Sequence, residues 1–260
     1  MKKNGKKLLV VGSMWITAFI VWTVLLQMVD VQPHGVNGTD IGFANLNCWF
    51  HKWTGVHMTL YTITDWLGLV PVTVCCIFGV LGLVQLVKRR SLLKVDYDVV
   101  VLGIYYVIVI GSYLIFEMIP LNYRPILMEG RMEVSYPSST TLLVLCVMPT
   151  CIEQMNRRLR NRLLKDILKI LVIGFSGFMV IARLFSGVHW LTDIIGGILL
   201  SAGLFCFYQG VVLVGSKGRI CLFCQFIYVY ASIIDAQKYL LGDVWFIACF
   251  GIGKMVFDKI

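Results

Sequence analysis

Arg183-Leu-Phe-Ser-Gly-Val-His189-Trp-Leu-Thr-Asp193 lies where two long apolar runs meet, Ile167 to Ile181 before it and Leu191 to Phe207 after it. An arginine, a histidine and an aspartate at such a junction are costly if they face lipid, so they belong at an interface or in a water-filled pocket. If a helix begins just before His189, Asp193 falls on the same face one turn on. Its carboxylate can then hold the imidazole by one ring nitrogen and leave the other free for chemistry. Arg183 offers a planar fork of donors that matches phosphate oxygens. A plainer reading also stands: a capped helix start, with Arg183 snorkelling to the interface and Asp193 satisfying backbone donors.

The two runs are not isolated. Of the 260 residues, 58% are hydrophobic and 14% charged, and the mean hydropathy is +0.83, which excludes a soluble domain. Stretches of spanning length recur: Leu8–Met28, Leu67–Val87, Asp98–Ile119, a fourth beginning over Pro137–Cys151, Ile167–Phe185 and Leu191–Val214. The fold class expected is therefore all-α, a polytopic membrane bundle of about six transmembrane helices. The N-terminal run follows Lys2, Lys3, Lys6 and Lys7 like a signal peptide, but it is too long and lacks a small-residue cleavage site. The domain expected spans residues 1–219. Residues 220–260 form a hydrophobic tail, short and interrupted by Asp235, Lys238 and Asp243, which reads as interfacial or re-entrant.

The net charge is +9. Its distribution argues for topology and anionic lipid rather than nucleic acid. One side of the bundle collects Lys2, Lys3, Lys6 and Lys7, then Lys88, Arg89, Arg90 and Lys94, then Arg157, Arg158, Arg160, Arg162 and Lys165 in a basic loop, then Lys217 and Arg219. The other side has Lys52, Arg124, Arg131 and Arg183. The basic side, with the N-terminus, is then cytoplasmic in a multi-pass plasma-membrane protein, and the stretch around His189 is external.

Asp30 to Asp65 is polar and rich in aromatic residues, as expected of a segment along the headgroup layer with a short amphipathic helix. It holds His34, His51 and His57. His51 and His57 are six residues apart, which does not place them on one helix face, so no zinc site is expected. The nine cysteines mostly sit in apolar runs and read as small hydrophobes. Cys221-x-x-Cys224 lacks partner ligands. No metal and no cofactor are expected, and no feature specifies an oligomeric state.

Upstream of the opening stretch lie Asn122-Tyr-Arg124-Pro125 and Tyr136-Pro137-Ser138-Ser139-Thr140, also at a membrane boundary and on the same side. Together the three segments resemble the type-2 phosphatidic acid phosphatase family, within the acid phosphatase and vanadium haloperoxidase group, whose motifs are K-x6-R-P, P-S-x-H and S-R-x5-H-x3-D. The third is present as Arg183-x5-His189-x3-Asp193, with Ala182 for the leading serine. The first keeps Arg124-Pro125 but has Glu117 in place of the lysine. The second keeps Pro137-Ser138-Ser139 but has Thr140 in place of the histidine.

The resemblance implies His189 as nucleophile through a phosphohistidine, Asp193 as its orienter, and Arg124, Arg183, Ser138 and Ser139 as phosphate ligands. It also implies a lipid phosphate or diphosphate as substrate, entering sideways from the membrane. Thr140 cannot act as the family's general acid, a role that typically contributes about 10² to 10⁴-fold. A phosphate leaving group suffers less from that loss than an alkoxide. Glu117 removes a positive charge from the cradle. A weakly active or inactive lipid-phosphate binder is the alternative that these departures leave open.

Overall fold

The computed structural model describes residues 2–215. The tail expected as interfacial or re-entrant, with Lys217, Arg219 and the Cys221–Cys224 pair, lies outside the described residues. The described residues form eight α-helices: α1 (Lys2–Met28), α2 (Ala44–Thr54), α3 (Met58–Leu67), α4 (Leu69–Arg89), α5 (Tyr97–Met118), α6 (Ser139–Arg158), α7 (Arg162–Phe185) and α8 (Leu191–Gly215). α1, α3 with α4, α5, α7 and α8 are long and apolar enough to cross a membrane. The chain is a multi-pass membrane protein.

α6 has the length of a span, 20 residues, but not the apolarity. The reason is its place inside the bundle, packed on α4, α5, α7 and α8. Its polar side chains find partners there. Thr150 Oγ1 lies 2.8 Å from Tyr106 Oη, and Gln154 Nε2 donates to Tyr208 Oη at 3.1 Å. Such bonds join membrane helices because the alternative is an unpaired group in hydrocarbon.

α8 is apolar on all faces and packs most extensively against α1. Glycines let the two backbones approach: a Cβ at Gly203 would stand 2.6 Å from Ile16 Cδ1. The basic stretch 156–165, expected as a loop, is mostly helical. Arg157 and Arg158 close α6, Arg162 opens α7, and Asn161 caps α7 by accepting from Leu164 N–H at 3.2 Å. Basic residues in the last turn of α6 also complement its dipole.

At the opposite end of the bundle, α5 is followed by a hairpin-like arm. Tyr123 pairs with Val134 and Met128 with Arg131 around Glu129-Gly130, both at positive φ (50° and 76°), as a two-residue turn of this kind requires. The headgroup segment contains α2 as the short helix expected, but α3 then runs directly into α4 and lengthens the second span beyond the Leu67 start.

Candidate active site

His189 sits between α7 and α8. α8 begins at Leu191, two residues later than a start before His189 would have it. The cause is local. Asp193 occupies the third position of the helix, and its Oδ2 reaches back to accept from the Trp190 N–H at 2.9 Å. This is one half of a capping box. Oδ1 accepts from Asn122 Nδ2 at 3.4 Å. The His189 ring therefore stands 3.6 Å from the carboxylate, Nδ1 to Oδ2, within ion-pair range but without a hydrogen bond. Neither ring nitrogen has a partner, and the residue is only 3% exposed.

Burial pushes the His189 pKa down to about 4. Asp193 opposes that shift, and the charges of Arg124 and Arg183 add to it. The ring is neutral at neutral pH, the form a nucleophile needs.

Two arginines close on this point from different elements. Arg183, from the last turn of α7, is 2% exposed. Its Nη1 donates to Thr64 Oγ1 at 3.1 Å and its Nη2 to Thr140 Oγ1 at 2.7 Å, and Asp65 Oδ1 lies 3.6 Å from Nη2. Arg124, from the arm after α5, is 9% exposed and stands 3.1 Å from Glu133 Oε2 through Nε, an ion pair that falls short of a hydrogen bond. Arg124 Nε and Nη1 and Arg183 Nε are buried without a partner. Both guanidinium carbons lie over the Tyr61 ring, 5.7 Å and 4.8 Å from its centre.

The second-motif segment meets the third through the backbone: Ser138 N–H donates to the Asp193 carbonyl at 3.1 Å. Ser138 is the residue before α6, fully buried, and its Oγ accepts from Thr141 Oγ1. Ser139 opens α6 and lines a small pocket that also touches His189, Ser135 and Glu117. Glu117 reaches that pocket from the last turn of α5, and among the described residues it forms no ion pair with either arginine. Thr140, in place of the motif histidine, accepts from Arg183 Nη2 through its hydroxyl oxygen. The start of α6 adjoins this region, and helix N-termini present N–H groups to anions, whereas at the start of α8 the Trp190 and Thr192 N–H groups are taken by Asp193 and Asn47.

Reading the motifs alone misses Tyr61, Thr64 and Asn122 as members of this cluster. Tyr61 and Thr64 are three apart on α3, the spacing of one helix face, which is the one signal that pairs them. They lie ahead of every motif. α2 and the loop before α3 are docked on the His189 loop: His57 N–H donates to the Ser186 carbonyl at 2.9 Å, and His51 Nε2, from α2, lies 3.1 Å from the Gly187 carbonyl. Gly187 takes φ +71°, and a Cβ there would collide with the Gly55 carbonyl.

The fold and this cluster define a class: a polytopic helical membrane protein with two buried arginines and a buried histidine gathered at one end of the bundle. Residues 100–213 match the sequence model of the PAP2 superfamily, the family that the three motifs resemble. No curated protein matches the chain. The fold is similar to the crystal structure of the first transmembrane PAP2 type phosphatidylglycerolphosphate phosphatase from Bacillus subtilis. That similarity has a TM-score of 0.51 at 16% identity, over 80% of this chain and 98% of that one. α1 to α4 precede the family-matched segment.

Proposed function

We infer that the chain is an integral-membrane phosphatase acting on lipid phosphates or diphosphates. One observation carries this reading. Two guanidinium groups and an imidazole, each at least nine-tenths buried, hold unpartnered donors in one cluster, beside arginine-facing carboxylates that are themselves largely exposed. Buried charge is costly without a counter-ion. A phosphate group is the anion whose geometry suits two planar forks.

In this reading Nε2 of neutral His189 attacks phosphorus while the bond from phosphorus to the lipid oxygen breaks. Asp193, beside Nδ1, balances the charge that appears on the phosphorylated ring. Water then cleaves the N–P bond and releases inorganic phosphate. Arg124 and Arg183 hold the phosphoryl oxygens, and Ser138, Ser139 and the start of α6 complete the cradle. Phosphoryl transfer needs chiefly such positioning and charge stabilisation. Thr140, whose oxygen accepts from Arg183, is no acid at neutral pH, so the leaving oxygen lacks the family's proton donor, which favours a diphosphate lipid, whose leaving group is already a stable anion. The excess of lysine and arginine at the far end of the bundle supports an external site and a cytoplasmic N-terminus.

The same Thr140–Arg183 bond favours a second reading, a lipid-phosphate binder with slow or no turnover. Phosphate release by the purified protein from phosphatidic acid, phosphatidylglycerol phosphate and an isoprenyl diphosphate decides between them. Release that His189→Asn abolishes is the expected result. No release from any of the three, with retained binding, gives the binding reading its place.

A further inference from the structure

Ahead of the family-matched segment, α3 presents Tyr61 and Thr64 to the two arginines, and none of the three motifs accounts for either contact. Two guanidinium charges held close together repel, and the carboxylates near them, Asp65 and Glu133, are 60% and 46% exposed and hence weak neutralisers. The ring face of a tyrosine carries negative potential, and here both guanidinium carbons lie within cation–π range of a single ring. Thr64, fully buried, accepts from Arg183 Nη1 while Thr140 accepts from Nη2. Each hydroxyl takes one arm of the fork, which fixes its plane and leaves Nε free.

α3 is itself held in place. The loop before it is bonded through His57 to the Ser186 carbonyl of the His189 loop, and His51 of α2 reaches the Gly187 carbonyl, so α3, the arginines and the histidine form one connected unit.

We propose that α3 is the positioning element of the anion site: Tyr61 holds Arg124 and Arg183 against its ring, Thr64 sets the plane of the Arg183 fork, and the ligand so received is a phosphate group. This rests on the phosphate reading of the cluster. Tyr61 and Thr64 act through the arginines, and the Tyr61 hydroxyl bonds no described group, so the ring and not the hydroxyl carries the effect.

The test is calorimetric titration of the full chain in detergent with inorganic phosphate, comparing Tyr61→Phe, Tyr61→Leu, Thr64→Val and Arg183→Ala with the parent. Tyr61→Phe keeps the ring and is expected within about twofold of the parent. Tyr61→Leu is expected to weaken phosphate binding about tenfold, the scale of losing two partly desolvated cation–π contacts. Thr64→Val, nearly isosteric, is expected to weaken it several-fold and carries the test if Tyr61→Leu does not fold. A loss on Tyr61→Leu that is rescued by Tyr61→Phe and largely disappears in the Arg183→Ala background is a pattern that a merely space-filling residue does not give. Parent-like binding by both Tyr61→Leu and Thr64→Val, while Arg183→Ala binds weakly, overturns the positioning role and leaves the phosphate site standing. A parent that binds no phosphate overturns the site and this proposal together.

Discussion

At the scale of single residues, His189 and Thr140 carry the sharpest consequences. The His189 pKa lies near 4 in the folded chain, against an ordinary value near 6.5. Protons therefore bind the unfolded chain first as pH falls, and the folded state loses stability between pH 6.5 and 4, by about 3 kcal/mol over the whole window. Above pH 6.5 the term is constant. Thermal unfolding in detergent at pH 7 and pH 4.5 measures it. His189→Asn is expected to show a smaller drop between the two pH values than the parent, and an equal drop in both counts against a neutral buried ring. Thr140→His restores an imidazole at the place where the family has one. It is expected to raise monoester turnover by about 10²-fold or more, and diphosphate turnover by less. It also removes the hydroxyl that accepts from Arg183 Nη2, so a rise in KM is expected alongside the gain. Steady-state kinetics on both substrate types read the two effects separately.

At the scale of elements, the apolar runs marked the spans because lipid demands about 20 apolar residues in a row. α6 is the instructive departure. Its opening motif marks it, but its hydropathy does not, because it faces other helices and trades apolar side chains for Thr150 and Gln154 bonded to tyrosines. The cluster was legible to the same extent. Arg124, Arg183, His189 and Asp193 could be read because their spacing is local to their motifs. Tyr61 and Thr64 could not, since 119 residues separate Thr64 from Arg183 and only the packing of α3 on α7 brings them together. The apolar run from Leu191 marks the start of α8, whereas the bond from the Trp190 N–H to Asp193 is a contact that periodicity does not register. Gly187 joins these elements. Gly187→Ala forces a side chain into φ +71° and into the Gly55 carbonyl, so the α2–α3 segment must move off the His189 loop. Phosphate release is expected to fall at least tenfold while the protein still inserts and purifies as a folded species. Unchanged release would mean that the α2–α3 segment is not part of the working site.

At the scale of the whole molecule, charge and site occupy opposite ends of the bundle. The start of α1, the ends of α4 and α6 and the start of α7 carry the basic residues, and the His189 cluster lies where α5 and α7 end and α6 and α8 begin. The positive-inside rule predicts an external site, which labelling tests. Met132, on the arm after α5, is exposed, as is Arg160 between α6 and α7. With a membrane-impermeant maleimide on intact cells, Met132→Cys is expected to label and Arg160→Cys only after rupture, with the parent as blank. The reverse pattern contradicts the orientation. The central claim is chemical, that His189 becomes covalently phosphorylated. Rapid quenching of the purified protein with a lipid substrate labelled at the departing phosphate, followed by peptide mapping, tests it directly. The account predicts an acid-labile, alkali-stable phosphoryl group on His189, absent in His189→Asn. Substrate turnover with no phosphorylated protein, or with the label on another residue, contradicts it.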